Sequence, residues 1–145
     1  MQRPSLATTF LLSALVGCEA DPPEGSAMLG EARAPDGVTI SYEVRGVRDP
    51  ALVLVHGWAN TRAIWGVHPE TLSRRHRVVA LDLAGHGASG ADRSEWTMEA
   101  FGEDVVAVVD ELGLESTVLV GFSMGGAVVL EAAERLGDRV LGVVY

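Results

Sequence analysis

The stretch VGFSMGGAVV, Val120–Val129, decides the reading of this chain. A β-branched apolar run ends at Val120. Gly-Phe-Ser-Met-Gly follows, and then a segment of small and apolar residues with helical character. A serine with glycine two residues away on each side, set between a strand and a helix, implies a turn too tight for Cβ atoms at both flanks. In such a turn the serine oxygen stands clear of the sheet, and the N–H of Met124, at the helix start, points where negative charge could form. The simpler reading of the bare pattern is a glycine-rich packing turn. The strand–turn–helix context favours a nucleophile elbow.

Working outward, apolar runs alternate with helical patterns. Val38–Gly46 alternates apolar and polar residues, as a half-buried strand does, and Pro35-Asp36-Gly37 predicts a hairpin turn from an earlier strand over Met28–Ala34. Ala51–Gly57, Arg77–Leu83, Ser116–Phe122 and Arg139–Tyr145 are near-continuous apolar runs, expected of strands buried on both faces. Helices are expected over Thr61–Arg74, over Thr97–Leu112 with Gly113 as its stop, and over Gly125–Leu136 with Gly137 as its stop. This order predicts the α/β class, a mostly parallel sheet with helices on both faces and a site beyond the carboxyl ends of the strands. Gly57, Gly85 and Gly121 mark three of those ends and should gather on one rim. No internal repeat and no second domain are visible.

The 145 residues carry a net charge of −9, with 48% hydrophobic and 21% charged residues, as a globular domain does. That charge argues against nucleic-acid binding, which needs a basic surface. All 11 basic residues are arginine, which reads as base composition and not mechanism. One cysteine excludes an internal disulfide. His56, His68, His76 and His86 show no metal-ligand spacing, so neither a metal nor a cofactor is expected.

Arg3 precedes an uncharged run, Leu6–Val16, too short for a bilayer span of roughly 20 residues. A basic start and a short apolar run read as a secretory signal over residues 1–17. Leu15-Val16-Gly17-Cys18 resembles the lipobox of bacterial lipoproteins, which implies cleavage before Cys18 and a lipid anchor on it in the cell envelope. Glu19, not aspartate, follows the cysteine and points toward the outer membrane. An ordinary signal peptide, or an apolar tail of a cytosolic protein, is the plainer alternative. Residues 18–27, with two prolines, a glycine and three acids, read as a tether. The folded domain is expected over 28–145.

Val53–Asn60 (VLVHGWAN), Asp82–Gly90 (DLAGHGASG) and Val120–Gly126 (VGFSMGG), in this order, resemble the α/β-hydrolase family over Met28–Tyr145. The resemblance implies that Ser123 is the nucleophile. It also implies that the backbone N–H groups of Trp58 and Met124 form the oxyanion hole. Asp82, His86 and Ser89 would belong to a loop that shapes the site. His56 reads as a structural histidine beneath the turn after Gly57, and His86 as a loop-packing residue. Trp58, Trp65 and Trp96 are either pocket or core aromatics. Gly121 and Gly125 would be required by the elbow. The implied substrate is a small-molecule ester, amide or lactone.

In this family the order along the chain is serine, then acid, then histidine. Residues 124–145 hold Glu131, Glu134 and Asp138, on or just after the elbow helix, and no histidine. The chain therefore reads as the N-terminal portion of such a fold, ending near its sixth strand. An apolar sixth strand left as an open edge would be an aggregation hazard. Three functional readings stay open: a serine hydrolase whose acid and base lie elsewhere, a non-catalytic lipoprotein acting as a binding or interaction protein, and a perhydrolase or other acyltransferase.

Overall fold

The computed structural model describes residues 26–145. The leader, Cys18 and the tether as far as residue 25 lie outside the described residues. Among the described residues, six strands form one sheet: β1 (Met28–Arg33), β2 (Thr39–Arg45), β3 (Ala51–Val55), β4 (Val78–Leu81), β5 (Thr117–Gly121) and β6 (Val140–Val144). Their order is β1-β2-β4-β3-β5-β6. The β1–β2 hairpin is antiparallel and joins β4 antiparallel, while β4, β3, β5 and β6 run parallel. The expected class and sheet are thus observed.

The α-helices among the described residues are α1 (His68–Ser73), α2 (Met98–Glu111) and α3 (Met124–Leu136). The Thr97 side chain caps α2 by accepting the Ala100 N–H at 3.1 Å. Phe101, Val105, Val108 and Val109 recur at helical spacing and are fully buried. The α2–α3 pair covers one face of the sheet, where Val53, Val55, Val79, Leu81 and Leu119 point. The intervening strand residues Leu54, Val78 and Ala80 face the other way, against Leu72 of α1 and Trp65. This split follows from the period-two alternation of strand side chains. Trp65 is therefore a core aromatic.

The helix expected over Thr61–Arg74 is interrupted. Thr61 caps a short 3₁₀ turn over Arg62–Trp65, Gly66 turns back at φ 53°, and α1 starts afresh at His68. Pro69 explains the restart, since a residue without an N–H is tolerated in the first turn of a helix and not inside one. Among the described strands, β6 lies at one edge of the sheet and β1 at the other, with Leu141 and Val144 exposed on β6.

Candidate active site

The carboxyl ends of β3, β4 and β5 converge as expected. At the end of β5, Ser123 has φ 55° and ψ −121° and stands at the N-terminal boundary of α3. This is a sparsely populated conformation for any residue bearing a Cβ. Its hydroxyl makes no capping hydrogen bond to the helix, and the residue is exposed. The flanking glycines are explained by close backbone approach. A Cβ on Gly121 would collide with the main chain of Gly125 and Gly126, and one on Gly125 with the carbonyls of Val55 and His56.

The turn after β3 lies directly against the elbow. A Cβ on Gly57 would stand 2.9 Å from the Phe122 carbonyl oxygen and 3.0 Å from the Ser123 Cβ. Residues 57–60 form a tight turn closed by the Asn60 N–H donating to the Gly57 carbonyl at 3.2 Å, with Ala59 at φ 55°. The same carbonyl accepts from His56 Nδ1 at 2.7 Å. A trans peptide places its N–H opposite its C=O. Fixing the Gly57 carbonyl toward His56 and Asn60 therefore turns the Trp58 N–H to the opposite side. Met124 is the first residue of α3, where an N–H has no intrahelical acceptor. A serine hydroxyl beside main-chain donors of this kind can attack a carbonyl carbon while the donors hold the charge that develops on its oxygen.

His56 is wholly buried. Its Nδ1–H donates to Gly57 and its Nε2 accepts the Leu83 N–H at 3.0 Å, so the neutral tautomer is fixed at both nitrogens. Burial holds its pKa below the ordinary value, against the opposing pull of the Gly57 hydrogen bond. His86 is likewise engaged at both nitrogens, Nδ1 with the Ala84 carbonyl at 2.9 Å and Nε2 with the Ala59 N–H at 3.3 Å. Neither ring offers a nitrogen to Ser123.

Asp82 organises the loop after β4. Its carboxylate accepts from the Arg62 N–H at 2.7 Å, from Arg62 Nη1 at 3.0 Å and from the Ala88 N–H at 3.0 Å. Ser89 Oγ donates to the Asp82 carbonyl at 2.6 Å and accepts the Ser41 N–H at 2.8 Å. Trp58 is 64% exposed at the rim. Trp96 lies where a Cβ on Gly85 would be, and packs against Phe101 and the Arg93 guanidinium.

One group has no counterpart in the sequence reading. Arg93 and Asp104 form a buried ion pair at 2.5 Å, and Asp104 also accepts the Ala84 N–H at 3.0 Å. Arg93 bonds Asp36 as well, at 2.6 Å. Burial pushes the Asp104 carboxyl up, against the opposing hydrogen bonds of Arg93 and Ala84. The available signal was Asp104 itself, an acid in the buried helical register of Phe101, Val105 and Val108, which demands a partner.

Among the described residues, no group of three or more histidine, cysteine, aspartate or glutamate side chains could hold a metal. No helix among them is long and apolar enough to cross a membrane.

The profile of the alpha/beta hydrolase fold matches residues 50–145. The chain belongs to the α/β-hydrolase family. The chain is 34% identical over 123 residues to the dihydrolipoyllysine-residue acetyltransferase component of an acetoin cleaving system from Pseudomonas putida, covering 81% of this chain and 33% of that protein. It is 38% identical over 100 residues to a bifunctional esterase/perhydrolase of Acinetobacter calcoaceticus, covering 68% of this chain and 36% of that one. Among solved α/β-hydrolase structures, an esterase from Rhodococcus sp. ECU1013 superposes with a TM-score of 0.74 at 35% identity, covering 79% of this chain and 44% of the other. The chain spans about a third of the length of these curated relatives.

Proposed function

We propose that this chain carries the nucleophile and the oxyanion donors of a serine hydrolase acting on small esters. The observation that carries the reading is Ser123 at φ 55° between β5 and α3, with the Gly57–Trp58 peptide packed against it. In the proposed reaction Ser123 Oγ gives up its proton to a base and attacks the ester carbonyl carbon. The Trp58 and Met124 N–H groups bind the resulting oxyanion. The carbon–oxygen bond to the alcohol then breaks, the alcohol leaves with the proton, and water hydrolyses the acyl-serine. Hydrolase and esterase relatives support the class.

His56 and His86 are both committed elsewhere, so the base is assigned to neither. The histidine and acid of the family order are assigned to the part of the relatives' length that this chain does not span. Export and lipid attachment at Cys18 belong to the same proposal, with the hydrolase held at the cell envelope. Radiolabelled palmitate incorporation, lost in Cys18→Ser, tests that part.

The experiment for catalysis is nitrophenyl-ester hydrolysis by the full-length gene product beside Ser123→Ala. Activity that disappears in the variant supports the assignment. A folded wild-type protein no faster than Ser123→Ala leaves the binding-protein reading in its place.

A further inference from the structure

His86 lies on the loop after β4, not on the turn that faces Ser123, yet it touches that turn. Its Nδ1 faces the Ala84 carbonyl at 2.9 Å, and because a carbonyl only accepts, Nδ1 carries the hydrogen. Nε2 is then a bare lone pair, and it accepts the Ala59 N–H at 3.3 Å. Ala59 is the residue that holds φ 55° in the turn, a conformation that favours glycine. The ring is packed on three sides, with centroids 5.1 Å from His56, 5.4 Å from Trp58 edge-on and 6.2 Å from Phe101. Its own loop is fixed in turn: the Ala84 N–H donates to Asp104, which is locked by Arg93. The histidine therefore joins a rigidly anchored loop to the strained position next to Trp58.

We propose that His86 is a positioning residue for the oxyanion turn: its Nε2 holds the Ala59 N–H, and so keeps the Gly57–Trp58 peptide aimed at the Ser123 carbonyl-binding site. This rests on the reading of Trp58 N–H as an oxyanion donor. The bond compensates part of the strain at Ala59, which would otherwise favour rotation of the turn. A misplacement of about 1 Å at such a site can cost roughly 100-fold in rate. Because the donor acts on charge that exists only in the transition state, its loss should appear in kcat and leave KM in place.

The test uses the full-length protein and three forms: wild type, His86→Leu and His86→Gln. Leucine fills the space without an acceptor. Glutamine can set its Oε1 near the position of Nε2. Two quantities are read, nitrophenyl-ester kinetics and hydrogen exchange at the Ala59 amide. The expected result is a kcat lower by about 10- to 100-fold in His86→Leu with KM within about twofold. Ala59 exchange should be faster in the same variant, and both changes should be largely reversed in His86→Gln. Equal losses in leucine and glutamine variants, a loss carried by KM, or unchanged Ala59 exchange would each overturn the proposal. If wild type hydrolyses no ester while Ala59 exchange still follows the His86 acceptor, the hydrolase reading fails and the His86–Ala59 contact stands. Should His86→Leu not fold, glutamine against wild type decides, since retained kcat and exchange are required of it.

Discussion

Replacing Ser123 by glycine should stabilise the fold relative to replacing it by alanine. Ser123 sits at φ 55°, ψ −121°, is exposed, and makes no capping hydrogen bond, so truncating its side chain loses neither burial nor a cap. Alanine keeps the Cβ and with it the strain, which costs about 1–3 kcal/mol for residues in such regions. Glycine removes the strain but gains unfolded-chain freedom, a penalty of about 0.5–1 kcal/mol. The difference leaves Ser123→Gly up to about 2.5 kcal/mol more stable than Ser123→Ala. At this size that corresponds to a melting temperature higher by up to roughly 10 °C. Urea unfolding of the two variants, followed by circular dichroism and fitted with a shared slope, measures it. Both variants should lack ester hydrolysis, so stability is compared between equally inactive proteins. A glycine variant weaker than the alanine variant would refute the claim that the elbow holds a strained residue.

Three further outcomes follow from geometry already described. Gly125→Ala places a methyl group on the carbonyls of Val55 and His56 and should destabilise by about 3 kcal/mol or more, read as loss of the cooperative unfolding transition at 37 °C. Arg93→Leu leaves the fully buried Asp104 carboxylate without its cation and should cost about 3–5 kcal/mol, while adding Asp104→Leu should recover part of that in the same denaturant assay. For pH, the folded chain keeps His56 neutral below the ordinary histidine value because burial lowers its pKa, whereas the unfolded chain takes up the proton. Stability contributed by His56 is complete above about pH 6.5 and falls as pH drops below it, by up to about 1.4 kcal/mol per unit. Urea midpoints from pH 7.5 to 5.5, paired with the His56 ring titration by NMR, check the direction. A His56 ring that protonates at or above its ordinary pKa would contradict it.

Much of this fold was legible in the sequence because its strands declare themselves locally. Ala51–Val55 and Thr117–Gly121 are short apolar runs with a glycine at or within two residues of their ends, and the Gly-x-Ser-x-Gly spacing marks its turn without help from distant residues. The break at Gly66 was not read, because the apolar residues of 61–74 suggested one helix and outweighed a glycine and a proline three residues apart. The Arg93–Asp104–Asp36 cluster was not legible for another reason. Its members lie on a hairpin turn, a loop and a helix, and only the folded chain brings them together. The link from His86 to Ala59 is of the same kind. Spacing identified His86 as a loop residue, while its hydrogen bond depends on how two loops meet above the sheet.

The elbow and its neighbour touch through main chain, with Gly57, Gly121 and Gly125 as the points of contact. A framework built from atoms common to every amino acid has few side chains that variation can tune. A Cβ at any of those glycines would meet neighbouring atoms, whereas Phe122, exposed beside them, can change without displacing main chain. The architecture thus separates the part that must not drift from the part that is free to. A complete single-site mutational scan should show this as a ring of tolerance around a core of glycines. Such a division lets one scaffold vary its rim while the backbone of the elbow stays fixed.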